Sequence, residues 1–241
     1  VLNKQSPLPM YYQIEENVKQ RIANEEFKRG EAIPSERELS ESYEVSRMTV
    51  RQAITNLVNE GILYRRKGRG TFVAEEKIAQ PLQGMTSFTE DMKSRGMKPE
   101  SRLLSLQIKT APAEISQKLH LESSSQVVKI DRIRYADQEP MAIETTYLSV
   151  RKFPDLTEDI VKKSLYDYIE KDKGYTIEKA TQMIEAVIAG EKQADLLGVE
   201  AGQALLHIER NSYLSDGSPF EVVISDYRAD RYKFITDMFR G

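Results

Sequence analysis

Residues 33–73 read IPSERELSESYEVSRMTVRQAITNLVNEGILYRRKGRGTFV, and this stretch decides the fold of the N-terminal part of the chain. Ser35 and Glu38 have the spacing of a reciprocal helix cap, which predicts a helix running to Tyr43. Ser46 caps a second helix, on which Val50, Ile54, Leu57 and Val58 form one apolar stripe while Arg47, Arg51 and Thr55 take other faces. Gly61 ends that helix, since glycine accepts the left-handed turn that closes it. Two β-prone runs follow, 62–65 and 71–73, joined by the basic turn Arg66-Lys67-Gly68-Arg69-Gly70. Helix, turn, helix and a ribbon with a cationic tip describe a winged helix-turn-helix, a shape that lays one helix in the DNA major groove.

Charge supports that reading locally. The whole chain is mildly acidic at −3, which alone argues against a nucleic-acid partner. Between residues 45 and 73, however, six positive charges face one negative, Glu60. Neutralising phosphates needs a local cationic surface, not a basic protein. The competing reading of the same residues is a solvated basic hairpin with no partner. Residues 1–74 hold 12 Lys+Arg and 10 Asp+Glu, whereas the remainder holds 23 and 28, so the two parts suit different partners. A first helix over residues 11–24, with Ile14, Val18, Ile22 and the Arg21 stem facing inward, completes the N-terminal domain. Residues 75–81 read as a linker between domains 1–74 and 82–241.

With 241 residues, 39% of them hydrophobic, the chain can bury two cores. It has no cysteine, which excludes disulfides and thiolate metal sites. His120 and His207 lack partners at metal-binding spacing, so neither a metal nor a cofactor is expected. No run of about 18 apolar residues and no leader pattern occurs, so the expectation is a cytoplasmic protein with no membrane partner.

An internal repeat organises the second domain. Shifted by 78 positions, residues 115–135 fall on 193–213: Leu119 meets Leu197, Val128 meets Leu206, Ile130 meets Ile208, Arg132 meets Arg210 and Tyr135 meets Tyr213. Each copy continues into a turn, a proline (Pro140, Pro219) and another β-prone run. Two units of helix, strand, turn and strand predict an α+β domain around one antiparallel sheet with pseudo-two-fold symmetry. On one strand Arg132 and Arg134 alternate with Ile130 and Ile133, so the guanidiniums share a face. They repel unless an anion or carboxylates neutralise them, and Glu144 and Glu221 are candidate counter-charges. Residue types alone leave two readings, an anion site or a salt-bridged exposed face.

Pro9-Met-Tyr-Tyr-Gln-Ile14, Pro34-Ser-Glu-Arg-Glu-Leu39, Ser46-Arg-Met-Thr-Val-Arg-Gln-Ala53 and Gly68-Arg-Gly-Thr-Phe72 resemble the GntR family of bacterial transcription regulators across the whole N-terminal domain. The resemblance implies that Arg37 and Arg47 read guanine and that the wing glycine Gly68 enters the minor groove; because Arg37 lies on the preceding helix, its position allows either a base edge or a phosphate. Ser46, Thr49 and Arg51 at the start of the recognition helix and Lys67 and Arg69 on the wing complete the implied DNA-binding set. Double-stranded DNA with a palindromic operator, bound by a homodimer, is the partner so implied.

The second domain resembles the effector domain of the HutC subfamily, which has a chorismate-lyase-like (UTRA) fold. Residues 82–97, LQGMTSFTEDMKSRGM, are close to the repressors of N-acetylglucosamine use within it. There the resemblance implies a sugar phosphate held by Ser87, Phe88, Thr89, Arg132, Ile133, Arg134, Glu144, Ser164, Leu165, Tyr166, Glu221 and Tyr227. The residues suit that chemistry: Ser87, Thr89 and Ser164, the last before a helix over 165–170, can cap helices whose first amides hold phosphate. Carboxylates can accept hydrogen bonds from sugar hydroxyls or pair with an amine. Plain capping explains the two serines equally, and core packing the two tyrosines. The implied function is a repressor released from its operator by glucosamine 6-phosphate or N-acetylglucosamine 6-phosphate. Alternatives are a HutC-type regulator sensing another small anion such as trehalose 6-phosphate, a chorismate-lyase-like enzyme, and a DNA-binding scaffold whose second domain only dimerises.

Overall fold

The computed structural model describes residues 3, 6–66, 68–74 and 77–238. The chain divides into two compact units, residues 1–78 with 198–200, and 79–197 with 201–241.

In the first unit the helices are α1 (Met10–Ala23), α2 (Glu36–Tyr43) and α3 (Arg47–Asn59), followed by the ribbon β1 (Leu63–Arg66) and β2 (Gly70–Val73). Both N-caps form as their spacing predicts. The Ser35 and Glu38 side chains each bond the other's backbone amide, and the Ser46 hydroxyl accepts from the Thr49 amide at 3.1 Å. The core gathers Ile14 and Val18 from α1, Leu39 from α2, Val50, Ile54 and Leu57 from α3, and Leu63 and Val73 from the ribbon. Ala53 joins that core fully buried and widens the stripe on α3, while Val58 is only partly covered. Glu15 is also buried on α1, accepting a hydrogen bond from Asn56 at 2.6 Å. The wing strands pair antiparallel from Leu63↔Val73 to Arg66↔Gly70, and an isolated bridge joins Ala32 to Phe72.

A short strand pair is formed by β3 (Ile78–Pro81) and β10 (Tyr232–Ile235), so residues 78–81, read as linker, are a strand. The second unit is built on the strands β4 (Pro99–Thr110), β5 (Gln126–Ala136), β6 (Glu139–Ser149), β7 (Ile177–Ile188), β8 (Ala204–Leu214) and β9 (Pro219–Arg228). They form one six-stranded antiparallel sheet in the order β4-β5-β6-β9-β8-β7. The 78-residue repeat is structural: it carries β4 onto β7 and β5 onto β8, and it carries α5 (Ala113–Lys118) onto the first six residues of α8 (Glu191–Leu197). The repeating unit therefore begins one strand earlier than the residue matches indicate. The hairpins differ: β5 and β6 turn through Asp137 and Gln138, both with positive φ, whereas β8 and β9 take a longer turn closed by Gly217.

α5 packs on β9 and α8 on β6, each crossing to the other half of the sheet. The opposite face carries a second apolar cluster, with Val128, Ile130 and Leu148 of the sheet against Phe153, Val161, Leu165 and Tyr166. Over it lie α4 (Phe88–Ser94), α6 (Glu158–Lys162) and the short α7 (Leu165–Asp167), which runs into a π-helical turn, Tyr168–Asp172, where the sequence predicts an ordinary helix.

Candidate functional site

Two surfaces carry the chemistry, one in each unit. In the first, the inward set Val50, Ala53, Ile54 and Leu57 fixes the rotation of α3 and leaves Arg47 and Arg51 exposed at its N-terminal end. Ser46 is committed to capping, with its hydroxyl 2.8 Å from that of Thr49. Arg51 donates to Glu36 at 2.9 Å, and Glu36 also takes Arg65 at 3.2 Å. Arg37 stands exposed on α2 with Glu41 3.9 Å away. At the wing, Arg69 is exposed and Gly68 has φ +72 with open space where a Cβ would stand. Any residue other than glycine would be strained there, and glycine lets the backbone approach closely. Lys67 lies outside the described residues.

In the second unit a cavity opens between the sheet and the starts of α4 and α7. Register explains its floor. Arg132 on β5 lies opposite Glu144 on β6, which lies opposite Ser225 on β9, which lies opposite Ile208 on β8. With period two, Arg134, Arg210, Glu221 and Tyr227 reach the same face. Ser87, Phe88, Thr89, Ser164, Leu165 and Tyr166 line the cavity from above. Of the twelve residues named for the effector, eleven border this one cavity. The exception is Ile133, which pairs with Ile143 while its neighbours Arg132 and Arg134 line the cavity; alternation turns its side chain to the other face. Alternation also brings in Arg210 of β8 and Ser225 of β9, and the first turn of α4 adds Asp91, none of them named among the effector residues. Arg210 had a signal, its match to Arg132 in the repeat.

Arg132 and Arg134 are each only 4% exposed, which removes the reading of a solvated, salt-bridged face. Arg132 donates to the Glu144 carboxylate and to the Val161 carbonyl at 3.0 Å. Arg134 donates to the Thr89 hydroxyl at 3.0 Å and stacks over the Phe88 ring at 4.7 Å. Thr89 therefore serves as an acceptor inside the first turn of α4, while Ser87 is its cap, with Glu90 closing the box. Ser164 caps α7 through the Asp167 amide. The Nε atoms of both Arg132 and Arg134 are buried without a hydrogen-bond partner. A buried donor on a cation that lacks an acceptor is costly, and an entering anion would satisfy it.

The two carboxylates differ. Burial opposes the charge on Glu144, but Arg132 and Arg134 outweigh it and hold the carboxyl below its ordinary range. Glu221 accepts from the Tyr166 and Ser212 hydroxyls at 3.2 and 3.3 Å. Burial, and then the negative charge of Glu144, push it up to about 7, with Arg210 and Arg132 pulling the other way. Burial lifts the Tyr227 phenol to about 12, so it is a hydrogen-bonding hydroxyl near neutrality. Arg210 is fixed by Gln182 at 2.8 Å and by the Thr86 carbonyl at 3.3 Å. Among the described residues no cluster has the donors to hold a metal ion. No described helix is long and apolar enough to cross a membrane.

Comparison with known proteins places each unit in a known domain family. Residues 10–73 match the model of the bacterial regulatory proteins of the gntR family, and residues 94–233 match the UTRA domain. The transcriptional repressor NagR of Bacillus subtilis is 47% identical over 99% of this chain and 98% of its own. The mannosyl-D-glycerate transport/metabolism system repressor MngR of Escherichia coli is 34% identical over 94% of each chain. The crystal structure of PhnF from Mycobacterium smegmatis superposes with a TM-score of 0.65 at 31% identity, covering 95% of this chain and all of that one. NagR and MngR are repressors by name, and the enzyme reading falls with these relatives. A winged helix-turn-helix followed by a chorismate-lyase-like domain, so matched, makes this chain a member of the GntR family of bacterial regulatory proteins, with a UTRA domain as its second unit.

Proposed function

We propose that the chain is a repressor whose DNA reader binds a palindromic operator as a homodimer and is released by an aminosugar phosphate held in the second unit. The observation that carries the effector class is the pair of buried arginines with unpartnered Nε donors, of which only Arg132 is ion-paired, to Glu144. That leaves net positive charge out of water, which suits a phosphate dianion. The resemblance of residues 82–97 to repressors of N-acetylglucosamine use selects the sugar: glucosamine 6-phosphate or N-acetylglucosamine 6-phosphate. Phe88, Thr89 and Arg134 would take the phosphate. Glu144, Glu221 and Tyr227 would take the ring hydroxyls and the nitrogen at C2.

A single winged helix makes few contacts, and two-fold pairing doubles them. Among the described residues the edges of the six-stranded sheet, β4 and β7, each have one side with no neighbouring strand, and Ile108 and Ile188 on them are 61% and 66% exposed. An uncovered edge of that length invites a second copy. Release requires the effector to bind the DNA-incompetent arrangement more tightly, and a coupling of about 1–3 kcal/mol weakens operator binding roughly 5- to 150-fold.

The test is a thermal-shift series with glucosamine 6-phosphate, N-acetylglucosamine 6-phosphate, trehalose 6-phosphate, glucose 6-phosphate and inorganic phosphate. A ligand at 100 times its Kd adds about 2.7 kcal/mol. Stabilisation by the two aminosugar phosphates, abolished in Arg134→Ala, is the expected result; silence to every sugar phosphate would exclude the ligand class.

A further inference from the structure

One side chain on α3 is at odds with its surroundings. Met48 is 67% exposed, on the first turn of the helix, between Arg47 and Thr49. At 100° per residue it stands about 160° away from Val50, the fully buried residue that fixes the inward face. It therefore occupies the middle of the outward face, with Arg51 three and Gln52 four residues on, both exposed. Lone exposed apolar residues are ordinary on protein surfaces. This one sits on the helix that the winged architecture delivers to the major groove, flanked by the arginines that would contact DNA. A methionine there offers a flexible apolar surface and no strong donor or acceptor. Of the groups displayed on the floor of the major groove, one is apolar: the C5 methyl of thymine.

We infer that Met48 is a specificity-determining residue that packs on a thymine methyl in each half of the operator. The inference rests on the reading of this unit as a DNA reader and adds to it a base that the arginines do not select. Arg47 and Arg51 supply hydrogen bonds and charge; Met48 supplies discrimination of thymine from cytosine by burying a methyl. Its exposure means that its replacement leaves the core of the unit untouched.

The experiment starts from random DNA, so the operator sequence is not required. The full chain is used to select duplexes from a randomised pool, and the enriched duplex is resynthesised with each thymine in turn replaced by deoxyuridine, which removes the methyl alone. One thymine per half-site should lose about fourfold in affinity on this change, the equivalent of one buried methyl. In Met48→Ala that loss should vanish at the same position, whereas Met48→Leu should retain most of it. The proposal is overturned if no uracil weakens binding, or if the sensitive uracil weakens Met48→Ala equally. If no duplex is enriched at all, the DNA-reading assignment fails first and this inference falls with it.

Discussion

The two units handle arginine in opposite ways. In the first, Arg37 and Arg51 keep side-chain exposures of 66% and 58% even where they pair with Glu41 and Glu36. In the second, the side chains of Arg132 and Glu144 are 5% and 10% exposed and locked to each other. A cation left in water can exchange a weak intramolecular partner for a phosphate at little cost, so the first unit can act on any duplex before it reads one. A cation taken out of water has already lost its hydration, so its remaining donors discriminate sharply between the right anion and none. Under the proposed function the surface charges give reach, and the buried ones give selectivity.

The sharpest way to break this comparison is to remove one buried partner. Arg132→Ala leaves Glu144 charged, buried and without its ion pair, and the cost is about 3–5 kcal/mol. Chemical denaturation of the full chain should show this loss in the transition of the second unit. A loss below about 1 kcal/mol, the range of an exposed pair, would mean that the cavity is wet enough to treat these charges as surface ones.

The next effect is on pH dependence. Glu221 is raised to about 7 in the folded state, while an unfolded glutamate titrates near its ordinary value of 4.5. Below about 4.5 both states hold the proton and Glu221 costs nothing. Between 4.5 and 7 the unfolded state releases its proton and the folded state keeps it, so stability falls as pH rises, by up to about 3 kcal/mol, and levels off above 7. Glu144 has the opposite sign and another window, since its lowered value gives stability that is lost only on acidification below the ordinary carboxylate range. Glu221→Gln should therefore flatten the slope between pH 4.5 and 7 and leave the acid limb in place. An unchanged slope would show that Glu221 is not the group responsible.

Much of this architecture is legible in the residues because local rules and burial agree there. Ser35 with Glu38, Ser46 and the spaced apolar residues of α3 each define a boundary or a face within one or two turns; both caps form as read, and the stripe does so but for Val58, with Ala53 added. The arginine pair on β5 was legible as a shared face, but its burial was not, because depth depends on α4 and α7 folding over it. The edge strands show why the repeat was underestimated. Residues 99–110 and 177–188 are equivalent strands with almost no residue matches, since each has one free edge and many exposed side chains that packing does not constrain. Ile133 entered through resemblance, and the period of two that places Arg132 and Arg134 in the cavity turns it away. Arg210 is the reverse case: the repeat had aligned it with Arg132, and equivalent strands of a symmetric sheet bring both to one cavity.

The smallest effect sharpens the comparison from the surface side. Glu36 is the acceptor for both Arg51 and Arg65, at 2.9 and 3.2 Å, and it is half-buried beside the recognition helix. In the proposed DNA complex the Arg51 guanidinium leaves Glu36 or bridges it and a phosphate, so the carboxylate competes with the duplex. Glu36→Gln removes the competitor and keeps a hydrogen-bonding group of the same shape. Losing exposed pairs should cost the first unit no more than about 1 kcal/mol in stability. Affinity should rise by up to about fivefold, the same energy returned as binding, and by the same factor on operator and random duplexes, because phosphates carry no sequence. Fluorescence anisotropy with both duplexes at two salt concentrations measures this. A gain confined to the operator would place Arg51 on a base edge, and a loss of affinity would mean that Glu36 positions Arg51 instead of restraining it.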